Sequence, residues 1–168
     1  MSRYLLQRIA EDFNVTISFA PKLFEDWNGS GCHTNFSTKI MREGTEGMPY
    51  IDAMMQRMAE KHSDHIQLYG EDNQKRLTGI HETSSMESFS YGVGNRAASF
   101  RIPSSTAAAN GKGYVEDRRP ASNIDPYLVC GMVVDTGCIL TESLSQDLKS
   151  AFAAWKQWRK EEHLENII

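Results

Sequence analysis

The chain has 168 residues, 40% of them hydrophobic and 24% charged, which suits one soluble domain with a real core. Its formal net charge of −4 argues against a general nucleic-acid or membrane binder but leaves room for a local basic pocket. Cys32, Cys130 and Cys138 lack CxxC spacing and point to reduced thiols in a cytoplasmic protein rather than to disulfides or a zinc site, and there is neither a membrane-length apolar run nor a signal-peptide pattern.

Residues 1–13 place Leu5 or Leu6, Ile9 and Phe13 at helical spacing among Arg8, Glu11 and Asp12, the pattern of an amphipathic helix. Residues 15–19 alternate Val15, Ile17 and Phe19 with Thr16 and Ser18, the pattern of a half-buried strand. Asp26–Thr38 reads as a loop entering a short strand. Gly29 and Gly31 permit tight turns and close ligand approach. His33 can offer a nitrogen to a metal, bond a phosphate or be merely structural, and Asn35 and Ser37 share its face. Pro49–His62 reads as a helix with Pro49 in its first turn and Ile51, Met54, Met55 and Met58 as its apolar stripe, the methionines serving as core filler. His62 and His65 read as helix-end residues and not as ligands.

Tyr69–Lys75 reads as a polar turn. Arg76–Phe89 reads as an ordered loop whose Arg76, His81 and Glu82 either carry chemistry or face water. In Ser90–Pro103, Ala98, Phe100 and Ile102 alternate along a strand bracketed by Arg96 and Arg101, which can clamp a phosphoryl group or snorkel to the surface. Ser104–Lys112 reads as a surface hairpin loop. A further strand starts at Tyr114 and puts Tyr114, Glu116 and Arg118 on one face. Its carboxylate is a hard ligand for a divalent cation and its guanidinium a fork for an anion, unless Arg118 and Arg119 simply pair with Glu116 and Asp117. Asp125 and Pro126 give a helix cap and first turn, followed by Tyr127, Leu128, Met132 and Val133 on a buried helix. A last helix starts near Ser143, with Leu144, Leu148, Ala151, Phe152, Trp155 and Trp158 at helical spacing; it reads as packed on the domain, the alternative being an exposed Trp stripe at a subunit contact.

Three of these stretches, WNGSGCHTNFST, RLTGIHETSSMESFSYGVGNRAASFRIP and GYVEDRRPASNIDPY, resemble in order and spacing the C-terminal catalytic portion of eukaryotic-type glutamine synthetase. The resemblance covers about residues 1–140 and leaves 141–168 as a C-terminal helical tail, with the family's β-grasp domain absent. It implies ATP-dependent formation of glutamine from glutamate and ammonium through a γ-glutamyl phosphate, with Mg²⁺ or Mn²⁺. By that resemblance His33 and Glu116 are metal ligands. Asn28, Gly29, Arg76, Arg96 and Arg118 hold glutamate. Asn35, Phe36, Ser37, Tyr114, Val115 and Glu116 lie along the nucleotide site. Arg96 and Arg101 contact phosphates and stabilise the transferring group. Glu82 is the loop carboxylate that closes over glutamate and helps take a proton from ammonium.

The implied fold is α+β: a curved antiparallel sheet, part of an open barrel, with helices packed outside. The implied assembly is a cytoplasmic homo-oligomer with its sites between subunits, and neither nucleic acid nor membrane is a partner. The family's other glutamate ligands, an ExE pair among them, have no counterpart before Trp27. Two cations on His33 and Glu116 alone would be under-coordinated. The chain therefore reads as a partial or truncated synthetase, inactive alone, with an exposed sheet edge and a tendency to self-associate. The alternatives are a non-catalytic glutamine synthetase-like module that binds nucleotide or a partner, and a relative that joins glutamate to another amine.

Overall fold

A computed structural model describes residues 1–80 and 82–139 and the single positions Ser150, Ala153, Ala154 and Gln157. Among these residues six α-helices and four strands follow in the order α1 (Ser2–Asp12), β1 (Thr34–Phe36), α2 (Lys39–Glu43), α3 (Gly47–Glu60), α4 (His62–Leu68), β2 (Tyr91–Val93), β3 (Phe100–Ile102), α5 (Ser104–Ala108), β4 (Val115–Asp117) and α6 (Pro126–Val134). The fold is α+β, as the sequence implies.

The strands form one sheet in the order β1-β4-β3-β2. The pairings β1–β4 and β3–β4 are antiparallel, but β2 runs parallel to β3, so the expected antiparallel sheet is mixed. A hairpin would force an antiparallel pair. Here the turn after β2 lets the chain come back alongside, and the amide of Gly94 bonds to the carbonyl of Ile102 at 2.9 Å. Period-2 alternation then divides the sheet into two faces. Phe100, Ile102 and Val115 are fully buried on one. Asn35, Glu116 and Arg101 lie opposite one another in a row on the other.

The buried face packs on α3 and α6, where Met54, Met55, Met58, Val129 and Met132 join the core. The methionines are filler as expected, and each buried side chain contributes about 1.5–3 kcal/mol relative to exposure. The α6 helix is capped as its sequence dictates: an oxygen of Asp125 accepts from the amide of Tyr127 at 2.8 Å, and Pro126 fills the first turn. Tyr127 itself is not part of the buried face. At the first turn it points outward and is 86% exposed.

Three further expectations are corrected. Residues 15–19 form no strand. Alternation yields a strand only where a neighbour offers its backbone, and no strand among the described residues lies beside this segment. Residues 104–112 are not a plain loop: Ser104–Ala108 is a short helix started by Pro103, and Thr106 is buried with its hydroxyl on the carbonyl of Tyr114. His62 and His65 begin a helix of their own and are both buried. The helix over residues 1–13 forms, yet its apolar stripe is uncovered, with Ile9 54% and Phe13 72% exposed. Arg3 ties it to the domain through the carbonyls of Ser122 and Ile124. The helix from Ser143, its stripe and most of the tail lie outside the described residues, as does His81.

Candidate active site

Glu116 is the centre of the exposed face of β4. Register places Asn35 of β1 on one side of it and Arg101 of β3 on the other. Its Oε1 accepts from Nδ1 of His33 at 3.0 Å, and its Oε2 accepts from Arg101 and Arg118, each at 3.3 Å. The carboxylate side chain is only 12% exposed. With Nδ1–H directed at Glu116, the lone pair of His33 is on Nε2.

Burial pushes the Glu116 carboxyl up, but Arg118, then His33, and hydrogen bonds from Arg101 and Arg118 outweigh it and hold the group below its ordinary value. Burial, then the Arg118 charge, lowers the His33 imidazole against the opposing pull of Glu116. The carboxylate is therefore ionised and the imidazole neutral near pH 7, the forms in which both can ligate a metal. Two guanidiniums on one carboxylate leave net positive charge. The buried Nε of Arg101 has no hydrogen-bond partner among the described residues. A buried donor without an acceptor suits an incoming anion.

The donor types fit a divalent cation, a hard oxygen from Glu116 beside an imidazole from His33, but they are two where such ions take about six. Among the described residues there is no group of three or more His, Cys, Asp and Glu side chains able to hold a metal. These two residues can thus share a cation whose other ligands lie elsewhere.

The remaining expected site residues are distributed unevenly. Arg118 belongs to the centre, and its Nε donates to the carbonyl of Arg96 at 3.0 Å. The Arg96 side chain faces solvent with Glu82 at 3.8 Å, and Glu82 sits in the left-handed backbone region with φ 58°, a strained conformation for a residue with a Cβ. Arg76 is only 4% exposed. Its guanidinium donates to the carbonyls of Arg118 at 2.8 Å and Arg119 at 3.2 Å. Burial, then Arg118, pushes it down to about 10. Asn28 is exposed, and Gly29 packs directly against the Arg76 stem. Asn35 shares the face of Glu116, and Ser37 donates to the carbonyl of Gly113 at 2.6 Å. Phe36 and Val115 turn their side chains into the core, and Tyr114 is 40% exposed.

The sequence leaves open that Arg119 simply pairs with Asp117, and it does, but the burial of that pair on the opposite side of β4 and its partners were not read. Asp117 and Arg119 form an ion pair at 2.8 Å with both side chains fully buried. Tyr69, assigned to a polar turn, is buried and donates to Asp117 at 2.7 Å. His62, His65 and Asn73 close around the pair and its backbone. A usable signal was present. Two charges at alternate positions behind Glu116 and Arg118 must face the core and so must be paired.

A carboxylate ringed by arginines, with an imidazole at its side, lies on the open face of an α+β sheet, an arrangement chemically able to receive an anion. A model of the glutamine synthetase catalytic domain matches residues 1–62. The chain is 60% identical over 139 residues to a glutamine synthetase of Yarrowia lipolytica, which covers 82% of this chain and 38% of that protein. The Saccharomyces cerevisiae glutamine synthetase is 58% identical over 139 residues, covering 82% of this chain and 37% of its own length. A Plasmodium falciparum glutamine synthetase structure shares the fold with a TM-score of 0.61 at 21% identity, over 80% of this chain and 28% of that one. The chain belongs to the glutamine synthetase family. It spans 38% of the length of the Yarrowia relative.

Proposed function

We propose that this chain supplies one side of the active site of an ATP-dependent glutamate–ammonia ligase. The observation that carries the reading is the meeting of His33, Arg101 and Arg118 on the single carboxylate of Glu116. Glu116 and His33 hold a share of the Mg²⁺ or Mn²⁺, which when bound supplies charge neutralisation for the phosphates of ATP. Arg101 takes up phosphate charge through a guanidinium whose Nε has no hydrogen-bond partner among the described residues. Arg118 presents its fork to the glutamate carboxylate. Glu82, beside Arg96, is placed on a loop from which it closes on the substrate and accepts a proton from ammonium. The cytoplasm is the compartment that suits three exposed free cysteines. Homo-oligomeric assembly follows from the family resemblance.

The two metal donors found among the described residues do not make a complete cation site. The purified chain therefore forms no glutamine from glutamate, ammonium and Mg²⁺-ATP without another polypeptide, while retaining measurable nucleotide affinity. Calorimetric titration with Mg²⁺-ATP tests this directly: Arg101→Ala weakens binding by about tenfold or more, the loss of one charge-assisted contact. Affinity identical in the variant, or glutamine made by the chain alone, overturns the reading.

A further inference from the structure

The strand that carries Glu116 is charged on both of its faces. Glu116 and Arg118 point into the site, whereas Asp117 and Arg119 are completely buried behind it. The Arg119 fork grips Asp117 with both arms, Nε to Oδ1 at 2.9 Å and Nη2 to Oδ2 at 2.8 Å. Its third nitrogen meets Nδ1 of His62 at 3.0 Å, and Nε2 of His62 meets the carbonyl of Met86 at 3.0 Å. The His62 tautomer follows: Nε2–H donates to Met86 and Nδ1 accepts from Arg119. The guanidinium also lies 5.0 Å from the Phe100 ring centre and 5.1 Å from that of Tyr69.

Such a cluster is a poor source of stability. Desolvating two charges costs about what their attraction returns, and apolar residues of similar volume serve a core as well or better. What a bidentate fork does supply is geometry. It fixes residue 119 against residue 117, and the backbone between them carries Arg118. Glu116 is the next residue on the other side of Asp117. From the front, Arg76 holds the carbonyls of both Arg118 and Arg119. The end of β4 is clamped from the core side by Asp117–Arg119 and from the loop side by Arg76.

We propose that the buried Asp117–Arg119 pair is a positioning device that sets the placement of Glu116 and Arg118 in the anion site. Neither residue touches substrate; they act through the strand. The significance of that placement rests on the functional reading above, but the coupling itself is measurable without catalysis.

The experiment compares the whole chain with Asp117→Leu/Arg119→Met, an apolar pair of similar bulk, by thermal unfolding and by nuclear magnetic resonance of the Arg118 Nε–H group. That proton is held on the carbonyl of Arg96 in the wild type. A purely structural pair replaced by good packing leaves both readouts in place. A positioning pair leaves the melting temperature within about 5 °C but speeds exchange of the Arg118 Nε–H by about tenfold or more. Unchanged exchange in the folded double variant, or an Arg118 Nε–H already unprotected in the wild type, overturns the proposal. Should the double variant fail to fold, Arg119→Lys keeps the charge, lacks the fork and must show the same loosening. Failure of the chain to bind Mg²⁺-ATP would overturn the functional reading and leave this measurement intact.

Discussion

The guanidinium of Arg76 bonds to the carbonyl of Arg118 at 2.8 Å, and it has room to do so because residue 31 is a glycine. A Cβ on Gly31 would overlap Nη2 of Arg76, and one on Gly29 would lie 2.6 Å from its Cγ. The glycines that look in the sequence like an opening for a ligand are here an opening for an arginine. Gly31→Ala should push Arg76 aside and strand the carbonyls of Arg118 and Arg119. The expected loss is about 1–3 kcal/mol of stability, from overpacking and a lost buried hydrogen bond. Urea unfolding reads it, and an unmoved midpoint would mean that Arg76 is free to settle elsewhere.

Much of the site was legible because its residues obey simple periodicity. Glu116 and Arg118 were placed on one strand face by alternation, and Phe100 and Ile102 on the core side of β3 by the same rule. The meeting of His33 with Glu116 could not be read from local pattern. It depends on β1 pairing with β4 across 83 positions of sequence. The parallel pairing of β2 with β3 was also hidden, since nothing in a three-residue strand encodes its direction. His62 and His65 looked like polar helix-end residues because burial of a histidine depends on partners such as Arg119, two residues past β4, that only the fold brings near.

Breaking the buried ion pair on one side should be far worse than replacing it whole. Arg119→Met leaves the Asp117 carboxylate in the core with only the Tyr69 hydroxyl and nearby amides to meet it. The expected cost is about 3–5 kcal/mol, whereas the apolar double variant should lie near the wild type. A double-mutant cycle in urea, with Asp117→Leu as the fourth corner, gives the coupling. Strictly additive losses would mean that the two side chains do not depend on each other.

The uncovered stripe of α1 predicts association of the isolated chain. Ile9 and Phe13 are four residues apart on one face, 54% and 72% exposed, with Leu5 at 48% one turn before them. Contiguous apolar surface of this kind is rare on a soluble monomer. Light scattering over a concentration series should give a rising apparent mass for the wild type and a lower, flatter one for Ile9→Lys/Phe13→Lys. A monodisperse wild-type monomer at every concentration would count against the stripe as the cause.

Stability should fall as the solution is acidified, and the histidines behind β4 should account for the first part of the fall. His65 is fully buried between the Tyr69 hydroxyl at 2.5 Å and the Thr136 hydroxyl at 2.8 Å, and burial, then Arg119, pushes its imidazole from 6.5 down to about 3. His62 is lowered as well, chiefly by burial. In the unfolded chain each takes a proton below its ordinary value near 6.5, whereas folded His65 takes one only near pH 3. Between those limits the unfolded state binds more protons, so acid favours it. The slope is about 1.4 kcal/mol per pH unit for each proton. Asp117 is held below its ordinary value, because Arg119 outweighs the opposing effect of burial, so its own contribution is lost only at lower pH, below about 3.8. Urea unfolding at pH 7.5, 6 and 5 should therefore show a decline that His65→Gln makes shallower, whatever that variant does to stability at pH 7.5. An equally steep decline in the variant would assign the acid sensitivity to other groups.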